Sequence, residues 1–184
     1  LGANGTPVLA ATLGDPARPD AVRSAILQLA GAQRLLALRP AILPLAAAGN
    51  ALEADAVEAL ALLDGGIASD GADALLRRPD PRVRAAAVRH LEGPSAGPRL
   101  AALVRSDPAA SVRAAAATAL LERGAPGAED DATPALFDLD PTVRAAAAEG
   151  FGRLGERAVP RLRQLALARE AADARGPIAA LSLA

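Results

Sequence analysis

This sequence predicts an all-α fold built from repeated helical pairs, and three observations carry that prediction. The first is composition: 51 of the 184 residues are alanine, the best helix former, and alanine supplies more than half of the 52% hydrophobic content. A core made of so small a side chain requires helices that approach closely. The second is the near absence of aromatic residues, Phe137 and Phe151 alone, which works against β-sandwiches and against stacking platforms for single-stranded nucleic acid. The third is internal repetition, which decides a fold before any single element is read.

Taken in order along the chain, Pro7 to Leu13 reads as a short first helix. Asp15-Pro16 followed by Val22-Arg23 then introduces a longer second one, loosened by an insertion. Residues 31–39 fit no element cleanly. Pro40 to Ala48 is the next short helix, and Asn50 to Leu63 around Val57 is the next long one, with Glu58 standing where the other copies have arginine. Gly65-Gly66 breaks the chain, and Gly71 to Arg78 is a third short helix. Three clear copies follow: Asp80-Pro81-Arg82-Val83-Arg84, Asp107-Pro108 leading to Val112-Arg113, and Asp140-Pro141-Thr142-Val143-Arg144. Each has a large apolar residue eight positions after its valine: Leu91, Leu120 and Phe151. Between them Pro98-Arg99-Leu100 with Leu103, Pro134-Ala135-Leu136 with Leu139, and Pro160-Arg161-Leu162 with Leu165 read as two-turn amphipathic helices. The repeats are spaced 35, 26, 29 and 31 residues from Val22.

Elementary chemistry accounts for one copy. Aspartate before proline supplies an N-cap oxygen, then a residue whose missing N–H costs nothing in the first turn, so Pro81, Pro108 and Pro141 are expected to open helices. Valine, alanine one turn on and Leu or Phe at position eight share a face, so Val83, Leu91, Val112, Leu120, Val143 and Phe151 are expected to be buried in one continuous core.

The pattern Asp-Pro-x-Val-Arg-x-x-Ala-x-x-x-Leu on the second helix of a pair of about 30 residues resembles HEAT repeats, in particular the short bacterial subtype shared with phycobiliprotein lyases. The resemblance is strong from Asp80 to Leu167 and weak before it. It implies a right-handed α-solenoid of about five to six helical pairs forming a single domain over residues 1–184. The divisions are degenerate repeats over 1–64, clear repeats over 71–170 and an incomplete or capping repeat over 171–184. The resemblance also implies that second helices line the concave surface. It nominates pairing between adjacent repeats of Asp80, Asp107 and Asp140 with Arg84, Arg113 and Arg144, a ladder that Glu58 interrupts.

Charge is balanced, 20 basic against 21 acidic residues, and every basic residue is arginine. Nucleic acid as a partner thus lacks its main driving force. Cysteine is absent, which excludes disulfides and thiolate chemistry, and the redox compartment stays open. Arginine without lysine, beside so much Ala, Gly and Pro, points to a bacterial genome of high GC content. Methionine is absent too, so the chain is read as processed or as a piece of a longer protein, and no signal peptide or membrane span is visible. A cytoplasmic location is the resulting expectation.

Little in the chain suggests catalysis. His90 is the only histidine and reads as a helix-surface residue, because a zinc site without cysteine or a second histidine would be mostly carboxylate. The His-Glu pairs of HEAT-like iron hydroxylases are missing, and no G-x-S-x-G elbow exists for a serine nucleophile. Glu129-Asp130-Asp131 reads as a solvated loop that caps the helix near Pro134. Gly150-Phe151-Gly152-Arg153-Leu154-Gly155 reads as a helix end with close packing rather than a phosphate loop. Residues 77–105 carry seven arginines against two acids, a net +5, whereas 124–140 carry five acids and no base.

The functional expectation is a non-catalytic interaction scaffold, without cofactor or metal, binding a protein helix or peptide, such as an acidic segment, on a small-residue row of Ala85, Ala114 and Ala145. Arg82, Arg89, Thr118 and Glu149 are the expected partner-binding residues around that row, with the arginines as main contacts. The alternative is a chromophore lyase-like or other small-molecule-binding protein.

Overall fold

Asp80 and Asp140 cap helices as their Asp-Pro pairs predict. Each carboxylate accepts the backbone N–H two residues on, from Arg82 and Thr142, both at 2.8 Å. Pro81 and Pro141 take the first helical position. The structure, a computed structural model, describes residues 5–47 and 49–168; the expected terminal repeat over 171–184 lies outside the described residues.

Asp107-Pro108 departs from the expectation. The helix there starts at Ala110, so Pro108 lies outside it. The physical reason is spacing: two more residues separate Asp107 from Val112 than separate Asp80 from Val83. Asp107 therefore ends the preceding helix instead and accepts the N–H of Ala109 at 2.9 Å.

Among the described residues ten α-helices pair in sequence. They are α1 (Gly5–Gly14) with α2 (Asp20–Ala32), α3 (Arg39–Ala47) with α4 (Glu53–Asp64), α5 (Asp73–Leu76) with α6 (Pro81–Arg89), and α7 (Ala96–Ser106) with α8 (Ala110–Arg123). In the fifth pair α9 (Ala128–Ala132) runs into a 3-10 helix, Thr133–Phe137, before α10 (Pro141–Leu154). Residues 159–168 are again helical. Second helices stack on second helices: α2 on α4, α4 on α6, α6 on α8 and α8 on α10. The array is all-α and consistent with HEAT helical pairs.

Several local expectations need correction. Glu129, Asp130 and Asp131 sit inside α9 rather than in a loop. The segment after Pro134 is a 3-10 helix ending at Phe137, so Leu139 falls in the linker to α10 and is 96% exposed instead of lying on an apolar face. Gly150 and Gly152 lie within α10, and only Gly155 ends it. A side chain at Gly150 would place its Cβ 2.5 Å from Leu121 Cδ1, so glycine there is what lets α10 close on α8. Leu91 lies past the end of α6, in a two-residue strand, β2 (Leu91–Glu92), paired in parallel with β1 (Ile67–Ala68).

All six predicted core residues are buried, Leu120 the most exposed of them at 3%. The core is not one body, however. Among the described residues one buried cluster runs from Leu13 to Leu63 and another from Ala72 to Ala158, and between them stands a small one of Val57, Val83 and Ala86, with the partly buried Ala46, Ala54, Ile67 and Leu75 packed against it.

The structure also resets the repeat register. Leu52, 3% exposed and immediately before α4, holds the place that Val83, Val112 and Val143 hold in the later pairs, in place of Val57. With Leu52 in the series the spacing from Val22 becomes 30, 31, 29 and 31 residues. Leucine instead of valine, followed by Glu instead of Arg, hid this copy from a Val-Arg motif.

Candidate functional site

The side-chain ladder between repeats follows from that register. The arginine after each repeat valine donates Nη1 to two carbonyls of its own linker: Arg84 to Arg78 and Pro79, Arg113 to Asp107 and Pro108, Arg144 to Asp138 and Leu139. Its remaining fork, Nε and Nη2, is thereby aimed at the next repeat. Arg84 grips Asp107 with two bonds of 2.9 Å, and Arg113 grips Asp138 at 2.7 and 2.8 Å. Bidentate pairs of this geometry are the strong ones. Arg113 thus pairs with Asp138 rather than Asp140, while Asp80 and Asp140 serve as caps and pair with no ladder arginine. Hydrogen bonds from Arg113 hold the Asp138 carboxyl below its usual range against the opposing effect of burial.

The rung at the α4/α6 junction has inverted polarity. Glu53, the residue after Leu52, is buried and pairs with Arg78 at 2.6 Å, the spacing in sequence matching Arg113 and Asp138. Glu58 therefore does not interrupt the ladder. It lies farther along α4, where Arg89 donates to its Oε2 at 2.5 Å and His90 Nε2 sits 2.6 Å from its Oε1. Burial raises the Glu58 carboxyl, but hydrogen bonds from His90 and Arg89 outweigh it and hold the group at about 2. His90 is accordingly not a free surface residue: it ends α6 and its side chain is mostly covered.

On each second helix the positions one before, two after and six after the repeat apolar residue share a face. On α6 these are Arg82, Ala85 and Arg89, and on α4 Ala54 and Glu58. A groove of about 410 Å³ crosses α2, α4, α6 and α8 on this face. Its polar lining is Gln28, Asp55, Glu58, Arg82, Arg89 and Ser111, and Ala54 and Ala85 contribute the small residues between them. Gln28 and Ser111 fall on the same periodic positions and were legible from the repeat; Asp55 departs from the period. Thr118 on α8 and Glu149 on α10 hold the corresponding positions but are not among the lining residues, and Glu149 pairs with Arg153 at 3.2 Å.

The electrostatics of the groove are divided by wall. Asp55 accepts from Ser24 Oγ at 2.5 Å through Oδ2, which leaves Oδ1 without a partner among the described residues. Arg82 spends Nε and Nη2 on Asp80, and Arg89 spends the same atoms on Glu58. Among the described residues Nη1 of each has no protein acceptor. Of the five other arginines in 77–105, four pair between repeats, Arg78 with Glu53, Arg84 with Asp107, Arg99 with Asp73 and Arg105 with Asp131, and Arg77 lies 3.7 Å from Asp73 within its own repeat. The acids of 124–140 are the complement, with Asp131 on Arg105, Asp138 on Arg113 and Asp130 on Arg161 at 3.0 Å.

Stacked helical pairs joined by side-chain rungs define an α-helical repeat protein. Residues 97–182 match the family model for HEAT repeats. No curated protein matches the chain. No helix among the described residues is long and apolar enough to cross a membrane.

Proposed function

We propose that this chain is a non-catalytic scaffold that binds a partner peptide or helix along the face where α2, α4, α6 and α8 present their periodic positions. The observation that carries this reading is the groove of about 410 Å³, because it crosses four helices and is lined chiefly by their periodic positions. Ala54 and Ala85 permit close backbone approach, and the charged groups beside them set specificity. HEAT repeats are generally interaction scaffolds, and the match over 97–182 supports the same reading by analogy of fold. The nominated contacts Arg82 and Arg89 belong to this groove; Thr118 and Glu149 extend the face along α8 and α10.

The test is a groove plug. Ala54→Arg, with an unchanged circular dichroism spectrum and melting temperature, is compared with the wild-type chain for quantitative capture of proteins from the source cell. A surface variant away from the groove, Glu156→Arg, serves as control. Proteins captured by wild type and control but lost from the plugged variant support the scaffold. A capture profile that the plug leaves unchanged refutes this face as the binding surface.

A further inference from the structure

We infer that the α4/α6 part of the groove recognises a peptide segment that carries one acidic and one basic side chain about 10 Å apart, the spacing of neighbouring helices. This rests on the scaffold reading above and specifies its partner. The groove is dipolar. Its α4 wall carries Glu58 and Asp55, whose Oδ1 has no partner among the described residues, and its α6 wall carries Arg82 and Arg89, whose Nη1 groups have no acceptor among the described residues. The two acids and two arginines that line it cancel, so a partner of single charge sign meets one favourable wall and one repulsive wall.

A segment with both signs satisfies both walls at once. Its base meets Asp55, and its acid bridges the two arginines, with Ser111 on α8 placed to add a hydroxyl. An extended peptide covers the separation in three residues at about 3.3 Å each. The arginines that line the groove are anchored rather than free: Asp80 and Glu58 each hold one edge of a guanidinium. Anchoring lowers the rotamer entropy that binding has to remove. The location adds a second reason, since the groove lies over the junction where the core narrows to Val57, Val83 and Ala86, and a bound segment bridges the two larger clusters.

The experiment uses three acetylated, amidated ten-residue Gly/Ser peptides added to the full chain labelled with nitrogen-15. One carries Arg and Glu three residues apart, one carries two Glu, one carries two Arg. The mixed peptide is expected to shift backbone amides of α4 and α6, and to bind about threefold to fivefold more tightly than either single-sign peptide, the size of one solvent-exposed ion pair. Arg82→Gln and Asp55→Asn are each expected to abolish that preference. Equal or better binding of the two-Glu peptide overturns the proposal in favour of an anion site. Free arginine at the same concentration binding as well as the mixed peptide overturns it in favour of a small-molecule site, and no shifts with any peptide overturn it outright. In that last case, loss of a captured protein in Ala54→Arg still upholds the scaffold, so the two readings fail separately.

Discussion

Replacing Asp107 by alanine removes the acid of the most buried rung. Its carboxylate and the Arg84 guanidinium are joined by two bonds of 2.9 Å, and the two side chains are only 4% and 10% exposed. The substitution leaves Arg84 Nε and Nη2 without acceptors in a site that water barely reaches, while Nη1 stays tied to the carbonyls of Arg78 and Pro79 and prevents the side chain from swinging out. It also removes the acceptor for the Ala109 N–H. Breaking a buried pair from one side costs about 3–5 kcal/mol. Partial relaxation toward the surface puts the expectation near the lower end, about 3–4 kcal/mol, or a fall in melting temperature of roughly 6–16 °C for a chain of this length. Asp64→Ala, which opens the exposed Arg39–Asp64 pair at 2.8 Å, is the internal comparison and should cost about 0–1 kcal/mol. Urea denaturation followed by circular dichroism reads both. The double variant Arg84→Met/Asp107→Leu should recover most of the loss, because removing both partners leaves no uncompensated charge. Equal costs for Asp107→Ala and Asp64→Ala, or a loss below about 1 kcal/mol at Asp107, would refute the argument that burial makes the rung strong.

Four further outcomes follow from the same geometry. Glu53→Arg places two arginines against each other at the inverted rung and should lower the melting temperature sharply, whereas Glu53→Arg/Arg78→Asp should restore it; a double variant no better than the single refutes the rung. Gly152→Ala, in open space within α10, should stabilise by about 0.5–1 kcal/mol through helix propensity, while Gly150→Ala should destabilise by about 1–2 kcal/mol because its Cβ meets Leu121; thermal melts that rank them the other way contradict the packing. Phe151→Ala should cost about 3–5 kcal/mol, since the ring is 2% exposed in the core, and an unchanged melting temperature would remove it from that role. Glu58 is held at about 2, below its ordinary value, so the stability its ionised form contributes is complete above about pH 4.5 and is lost as pH falls toward 2. Melting temperature plotted against pH should therefore fall less steeply over that window in Glu58→Gln than in the wild-type chain, and parallel curves would rule out the linkage.

The sequence by itself determined the helical pairs, the caps at Asp80 and Asp140 and the buried positions from Val83 to Phe151. Those features depend on residues three to eight positions apart, and helical geometry fixes which of these share a face. Tertiary structure decided what those local rules leave open. Whether an aspartate caps its own helix or receives an arginine from the previous repeat depends on two residues of linker length, which is why Asp107 and Asp138 are rungs while Asp140 is not. Polarity matters as little to stacking as it matters greatly to a motif: Glu53–Arg78 is an ion pair between the positions that Arg113 and Asp138 join with two hydrogen bonds, with the charges exchanged, so the Val-Arg motif points to Val57 and Glu58 instead. The groove belongs to the same class, since Gln28, Asp55, Arg82, Arg89 and Ser111 lie on four helices and only stacking at about 10 Å brings them to one surface.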